Sequence, residues 1–140
     1  MDLAGSCRCG AITVQLSTTR TPAELPVRMC GCTFCVARTP HYTSDPAGHV
    51  TITIDEAKVE RHRFGLRLAD FLICRACDQF VAAYDDSTAT TRAVINLDTL
   101  ARAAEFTAEP LRLTIYDSED VTARTARRSA SWTPATLVVR

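Results

Sequence analysis

The sequence predicts a mainly β domain of short antiparallel strands, pinned by metal and finished by one short C-terminal helix. Three observations predict it. Short runs alternate apolar and polar side chains, as half-buried strands do. Gly, Pro, Asp and Ser punctuate those runs, as turns do. All seven cysteines fall in three tight clusters: Cys7-Arg-Cys9, Cys30-Gly-Cys32-Thr-Phe-Cys35 and Cys74-Arg-Ala-Cys77. Thiolates two or three residues apart can converge on one ion.

The first strand expected is Ala11–Leu16 (Ala-Ile-Thr-Val-Gln-Leu), which alternates cleanly. Pro22 and Pro26 make an extended loop of the stretch from Thr18 to Met29. Pro40, Pro46 and Gly48 make another from Thr39 to Gly48. Val50–Ile54 alternates again, and Lys58–Phe64, Phe71–Cys74, Phe80–Tyr84 and Ala93–Asn96 are further strands. Asp98–Arg102 reads as one helical turn, and Leu111–Tyr116 as a last strand. Ser118–Arg128 reads as the helix. Ser118 suits its cap, Glu119 and Asp120 its first turn, and Arg124, Arg127 and Arg128 its last turn.

A chain of 140 residues with 46% apolar content is long enough for one cored domain, spanning residues 1–140. Sixteen Lys and Arg balance sixteen Asp and Glu. That neutrality argues against a nucleic-acid footprint or a basic membrane surface. The first residues lack the basic-then-apolar pattern of a signal peptide. No run approaches the roughly 20 apolar residues of a membrane span. A cytoplasmic protein is therefore expected. Thiols stay reduced there, and clustered cysteines then favour metal or catalysis over disulfides.

Zinc suits sulfur ligands and changes no oxidation state. Gly10 after Cys9 and Gly31 inside the middle cluster can turn backbone N–H groups toward the sulfurs. Asp78, after Cys77, tolerates that conformation better than most residues. Seven ligands suggest one closed site of four and one open site of three, and an open position is where a metal does chemistry. One split pairs Cys7 and Cys9 with Cys74 and Cys77 and leaves Cys30, Cys32 and Cys35. Another joins Cys32 and Cys35 to Cys74 and Cys77. Spacing alone leaves both open, with a preference for the first because it keeps each cluster whole. Arg8, Arg28, Arg38 and Arg75 each lie within three residues of a cysteine and can balance anionic centres. His41, His49 and His62 are available to complete a zinc sphere, although a lone His is more often a surface residue. Phe34 and Trp132 read as core or pocket wall. Arg124, Arg127 and Arg128 read as helix-end charges rather than an anion site.

Gly5-Ser6-Cys7-Arg8-Cys9-Gly10-Ala11-Ile12, Cys30-x-Cys32-x-x-Cys35 and Cys74-x-x-Cys77, in that order, resemble the glutathione-dependent formaldehyde-activating enzyme family. The resemblance runs on through Val94-Ile95-Asn96-Leu97-Asp98 and covers about Gly5 to Leu100. It implies a zinc-stapled β fold of the Rab-chaperone-like type. It also implies the first split: a structural zinc on Cys7, Cys9, Cys74 and Cys77, and a catalytic zinc on Cys30, Cys32 and Cys35. The implied activity condenses formaldehyde with glutathione to S-hydroxymethylglutathione, a carbon–sulfur lyase reaction run backwards. The implied partners are a small thiol and an aldehyde, with no nucleic acid and no membrane. The chain departs from the family at Gly31, where histidine is usual, and at Asp78, where glycine is usual. It departs again in the longer Ser118–Arg128 segment before Trp132, which can line the pocket. Competing readings are a non-enzymatic zinc-stabilised binding module and a thiol-rich metal or oxidant sensor.

Overall fold

A computed structural model describes residues 1–114, 116 and 118–140 of the chain. Among the described residues, eleven strands form one sheet system. They are β1 (Asp2–Ser6), β2 (Ile12–Ser17), β3 (Arg28–Cys30), β4 (Tyr42–Thr43), β5 (His49–Ile54) and β6 (Val59–His62). They continue with β7 (Ala69–Cys74), β8 (Phe80–Asp85), β9 (Arg92–Asn96), β10 (Leu111–Thr114) and β11 (Thr133–Val139). Two α-helices, α1 (Thr33–Arg38) and α2 (Val121–Ser131), join them.

Alternation sets the register. Ile12, Val14 and Leu16 of β2 stand opposite Ile54, Ile52 and Val50 of β5. All six are buried. Thr13 and Gln15 meet Thr53 and Thr51 on the other face, because successive side chains of a strand point to opposite sides. The order β1-β2-β5-β11 makes one wing, and β6-β7-β8-β9 makes the other. On its second edge β9 carries two short neighbours: β11 opposite Ala93 and Arg92, and β4 opposite Ile95 and Asn96. Beyond β4 lie β3 and β10.

Most pairs are antiparallel, as expected, but β11 runs parallel to β5 and β10 parallel to β3, so the sheet is mixed. A parallel pair needs a long crossover, and the chain between β5 and β11 contains β6 to β10 and α2. Pro134 disguised β11 in the sequence. It lies near the strand's start, opposite Arg92, where proline is tolerated. The short strands β1, β3 and β4 also escaped, the last two inside segments read as loops. The strand expected over Leu111–Tyr116 is seen as Leu111–Thr114; Ile115 lies outside the described residues.

The expected helix is present but displaced by three residues. Asp120, not Ser118, caps α2, its carboxylate accepting the Ala123 N–H at 2.8 Å. The turn expected over Asp98–Arg102 is two 3-10 turns, Leu97–Thr99 and Ala103–Glu105. Among the described residues no helix is long and apolar enough to cross a membrane.

β1 presses directly on the first of those turns. A Cβ on Gly5 would stand 2.4 Å from the Thr99 carbonyl oxygen and 2.8 Å from the Leu100 Cα, so only glycine fits. Two apolar clusters fill the interior. The larger includes Leu3, Ile12, Leu16, Ile52, Leu72 and Ile95. The smaller includes Cys35, Tyr42, Phe80, Val94 and Trp132, with Cys30, Cys32 and Phe71 packed on it. The middle cysteines thus belong to a core of their own.

Candidate functional site

The β1–β2 turn presents Cys7 and Cys9, and the β7–β8 turn presents Cys74 and Cys77. Their four sulfurs lie within 4.8 Å of one another. Cys7 and Cys9 are 3.7 Å apart, and Cys9 and Cys74 are 3.2 Å apart. A tetrahedral ion with metal–sulfur distances of about 2.3 Å spaces its sulfurs by about 3.8 Å, so the group fits one ion. The two turns are built alike. Cys7 N–H reaches the Ile12 carbonyl, and Cys74 N–H the Gln79 carbonyl, both at 3.0 Å. Gly10 N–H returns to the Cys7 carbonyl at 3.1 Å, and Asp78 N–H to the Cys74 carbonyl at 2.8 Å. Gly10 takes φ 81° and Asp78 φ 59°, so the aspartate adopts the left-handed conformation that glycine adopts in the other turn. Gly31 is not among the described residues with positive φ.

Arg8 stitches the turns together: its guanidinium donates to the Cys77 carbonyl at 2.6 Å, and its N–H to Gln79 Oε1 at 2.9 Å. Burial opposes ionisation of Cys77. The N–H groups of Gln79 and Cys9 and the neighbouring thiols outweigh it and hold that thiol at about 6. Burial pushes Cys74 up to about 12.

The middle group is compact and separate. Cys30 ends β3, Cys32 caps α1, and Cys35 sits one turn into that helix, with all three sulfurs within 4.8 Å. Cys32 N–H points at the Cys30 sulfur (3.5 Å) and Cys35 N–H at the Cys32 sulfur (3.4 Å). The Tyr42 hydroxyl lies 3.0 Å from the Cys35 sulfur, buried and placed to donate to it. The Cys35 thiol and the Cys32 N–H favour the Cys30 anion and bring that thiol to about 6, against burial. Cys35, donating to Cys30 and buried, is pushed up. Burial, and then the adjoining sulfurs, raise Tyr42 well above the usual phenol range. Both cysteine groups can hold a metal ion. The alternative grouping of Cys32 and Cys35 with Cys74 and Cys77 does not form.

A cavity of about 330 Å³ opens over the middle group. Cys30, Cys32, Cys35 and Tyr42 lie at one side. Phe64, Leu66, Phe71, Val94 and Trp132 make an apolar wall. Arg28, Arg124, Arg127 and Arg128 supply the charge. The three α2 arginines, read from sequence as helix-end charges, therefore face the site. Glu119 holds Arg124 (3.1 Å) and Arg127 (2.9 Å). Arg127 also lies over the Tyr116 ring, its guanidinium carbon 3.7 Å from the centroid. Arg128 pairs with the buried Asp85 at 3.0 Å and covers the Trp132 ring at 4.4 Å. Of the four arginines near cysteines, only Arg28 reaches the cavity. Arg38 instead bridges from α1 to the Asp78 carbonyl at 3.2 Å.

The histidines are engaged elsewhere. His41 pairs with Asp98 at 3.0 Å, His49 with Thr136 at 3.0 Å, and His62 stacks on Phe34 with centroids 5.6 Å apart. Among the described residues no histidine joins either cysteine group. Nothing in the sequence marks Tyr42, Phe64 or Phe71 as residues of a site. Only the fold brings them to the site.

The sequence pattern of the family described as glutathione-dependent formaldehyde-activating enzyme matches residues 2–118, most of the chain. The chain belongs to that family. A structural-genomics crystal structure of a Rhodobacter sphaeroides protein has a similar fold. Its TM-score is 0.52 and its identity 22%, over 70% of this chain and 87% of that one. No curated protein matches the chain. Family membership covers all three cysteine clusters but stops short of α2 (Val121–Ser131). Arg124, Arg127 and Arg128 thus lie beyond the matched residues, and Arg28 lies within them.

Proposed function

We propose that this chain is a single-domain, zinc-dependent enzyme of the carbon–sulfur lyase type, joining a small thiol such as glutathione to an aldehyde such as formaldehyde. In this reading Cys7, Cys9, Cys74 and Cys77 hold a structural zinc, and Cys30, Cys32 and Cys35 hold a second one at the site of reaction. The observation that carries the reading is the contrast between the groups: four sulfurs, enough to complete a tetrahedral ion, and three sulfurs beside a largely apolar cavity. That contrast also favours an enzyme over a purely structural binding module. A reducing compartment such as the cytoplasm would keep all seven thiols free for metal.

The reaction balances without an oxidant. The thiol sulfur forms a bond to the carbonyl carbon, the C=O π pair moves onto oxygen, and the thiol proton ends there as the hydroxyl. Zinc on Cys30, Cys32 and Cys35 would supply a Lewis acid that prefers sulfur and lowers a thiol's affinity for its proton. The chain's own groups do the rest. The N–H groups of Cys32 and Cys35 and the Tyr42 hydroxyl fix the sulfurs, as groups behind metal ligands commonly do. The Phe64–Phe71–Trp132 wall excludes water and holds the thiol and aldehyde together, which supplies proximity.

Exchange NMR with ¹³C-formaldehyde and glutathione tests this. The zinc-loaded protein is expected to speed interconversion of free and adduct carbon, and Cys30→Ser to abolish the acceleration. A protein holding two zincs that leaves the exchange at its buffer rate would sink the proposal.

A further inference from the structure

We propose that the cavity is built for an anionic thiol with an apolar body, its carboxylate held by Arg28 and Arg128 and its sulfur at the middle cysteines. The inference rests on the thiol-binding reading above and narrows the thiol. Four arginines line the cavity, and no Asp or Glu is among its described lining residues. Two carboxylates stand behind them, and both are spent: Glu119 on Arg124 and Arg127, Asp85 on Arg128.

Two guanidinium groups keep capacity for a ligand. Arg128 is 7% exposed, and its Nε has no hydrogen-bond partner. A buried N–H left unpaired costs free energy, and the same side chain lines the cavity. Arg28 donates to the neutral Ser44 hydroxyl and forms no ion pair among the described residues.

The remaining wall is aliphatic and aromatic, a surface that a one-carbon aldehyde cannot use but an apolar substrate body can. Glutathione, whose α-ammonium accompanies its two carboxylates, fits this lining less well than a thiol that is purely anionic. Its α-ammonium would meet four arginines and no carboxylate, and a like-charge encounter in a partly dry site is unfavourable. The helix that supplies Arg128 lies beyond the residues matched by the family pattern.

The test uses cobalt(II) in place of zinc, whose sulfur charge-transfer bands report thiol binding without any turnover. Four probes are titrated: 4-(mercaptomethyl)benzoate, its methyl ester, the matching benzylamine and glutathione. The acid is expected to bind roughly ten- to hundredfold tighter than the ester, the range of a hydrogen bond to a charged group. The amine and glutathione should bind more weakly than the acid. In Arg28→Gln the acid–ester gap should shrink markedly. If that variant does not fold, the acid–ester ratio on the unaltered protein decides alone. Acid and ester of equal affinity, or glutathione tighter than the acid, would overturn the anionic subsite while leaving thiol binding intact. A cobalt spectrum that no thiol changes would overturn both readings.

Discussion

The two cysteine groups should respond very differently to loss of one ligand. The outer group ties the β1–β2 turn to the β7–β8 turn, and Cys9 and Cys74 are 65 residues apart. The middle group links residues only two and three apart, within one strand end and one helix turn. Closing a loop costs about (3/2)RT ln n, so the long tie constrains the unfolded chain by about 2–3 kcal/mol more than the short ones. Structural zinc sites contribute about 10–16 kcal/mol to folding of small peptides, comparable with the whole 5–15 kcal/mol stability of an ordinary domain. Cys77→Ser should therefore unfold the protein or lower its melting temperature by more than about 15 °C. Cys32→Ser should lose one zinc and shift melting by less than about 5 °C, a cost near 1 kcal/mol. Elemental analysis counts zinc per chain, and circular dichroism follows melting. The reasoning fails if Cys32→Ser collapses the fold as thoroughly as Cys77→Ser, or if Cys77→Ser melts like the parent.

Gly5→Ala drives a methyl into the Thr99–Leu100 backbone, and should cost about 1–3 kcal/mol in urea unfolding; a change within error would mean that β1 and this turn separate freely. Arg128→Met strands Asp85, whose side chain is 7% exposed, and should cost about 3–5 kcal/mol. Adding Asp85→Asn should recover part of that, and a double-mutant cycle with no coupling would refute the pair. Tyr42→Phe removes the hydroxyl beside Cys35. Affinity for the metal at the middle group should fall roughly ten- to hundredfold, read by competition with a chromogenic chelator, while an unchanged affinity would show the contact to be idle. The Arg127 hydrogen bond, helped by Arg124 and opposed by burial, holds Glu119 below its ordinary value. A depressed carboxylate adds stability above its unfolded pKa, and the addition disappears as pH falls through the folded value. The stability difference between the parent and Glu119→Gln should thus be present at neutral pH and vanish in acid; a difference that persists unchanged in acid would count against it.

The strands that alternate were legible because each buries one face: β2 and β5 could be read nearly residue by residue. The cysteine clusters were legible because metal ligation demands local spacing. What escaped was nonlocal. β4 has two residues and no pattern of its own; it exists because Asn96 and Ile95 offer β9's free edge. β11 was hidden by Pro134, and its parallel pairing with β5 follows only from the path of the chain between them. The arginines of α2 were misassigned for a related reason. Cations in the last turns of a helix satisfy a local rule, and nothing local says that Trp132, Asp85 and a cavity lie on that side. Tyr42 stands seven residues from Cys35, a separation that means nothing until β4 turns it back.

The place of β11 bears on how the chain is assembled during synthesis. Cys77 is the last ligand of the outer group, so the ribosome delivers every sulfur of that group well before it delivers Thr133. A metal can then clasp the β1–β2 and β7–β8 hairpins while the tail is still being made. The sheet cannot close in that interval, because β11 fills the gap between β5 and β9. Until it arrives, β5 exposes a row of unpaired backbone groups and β9 the short stretch at Arg92 and Ala93, the kind of edge that recruits other nascent chains. A metal-poor cell would leave the two hairpins unclasped beside that edge, so metal supply should set the yield of soluble protein.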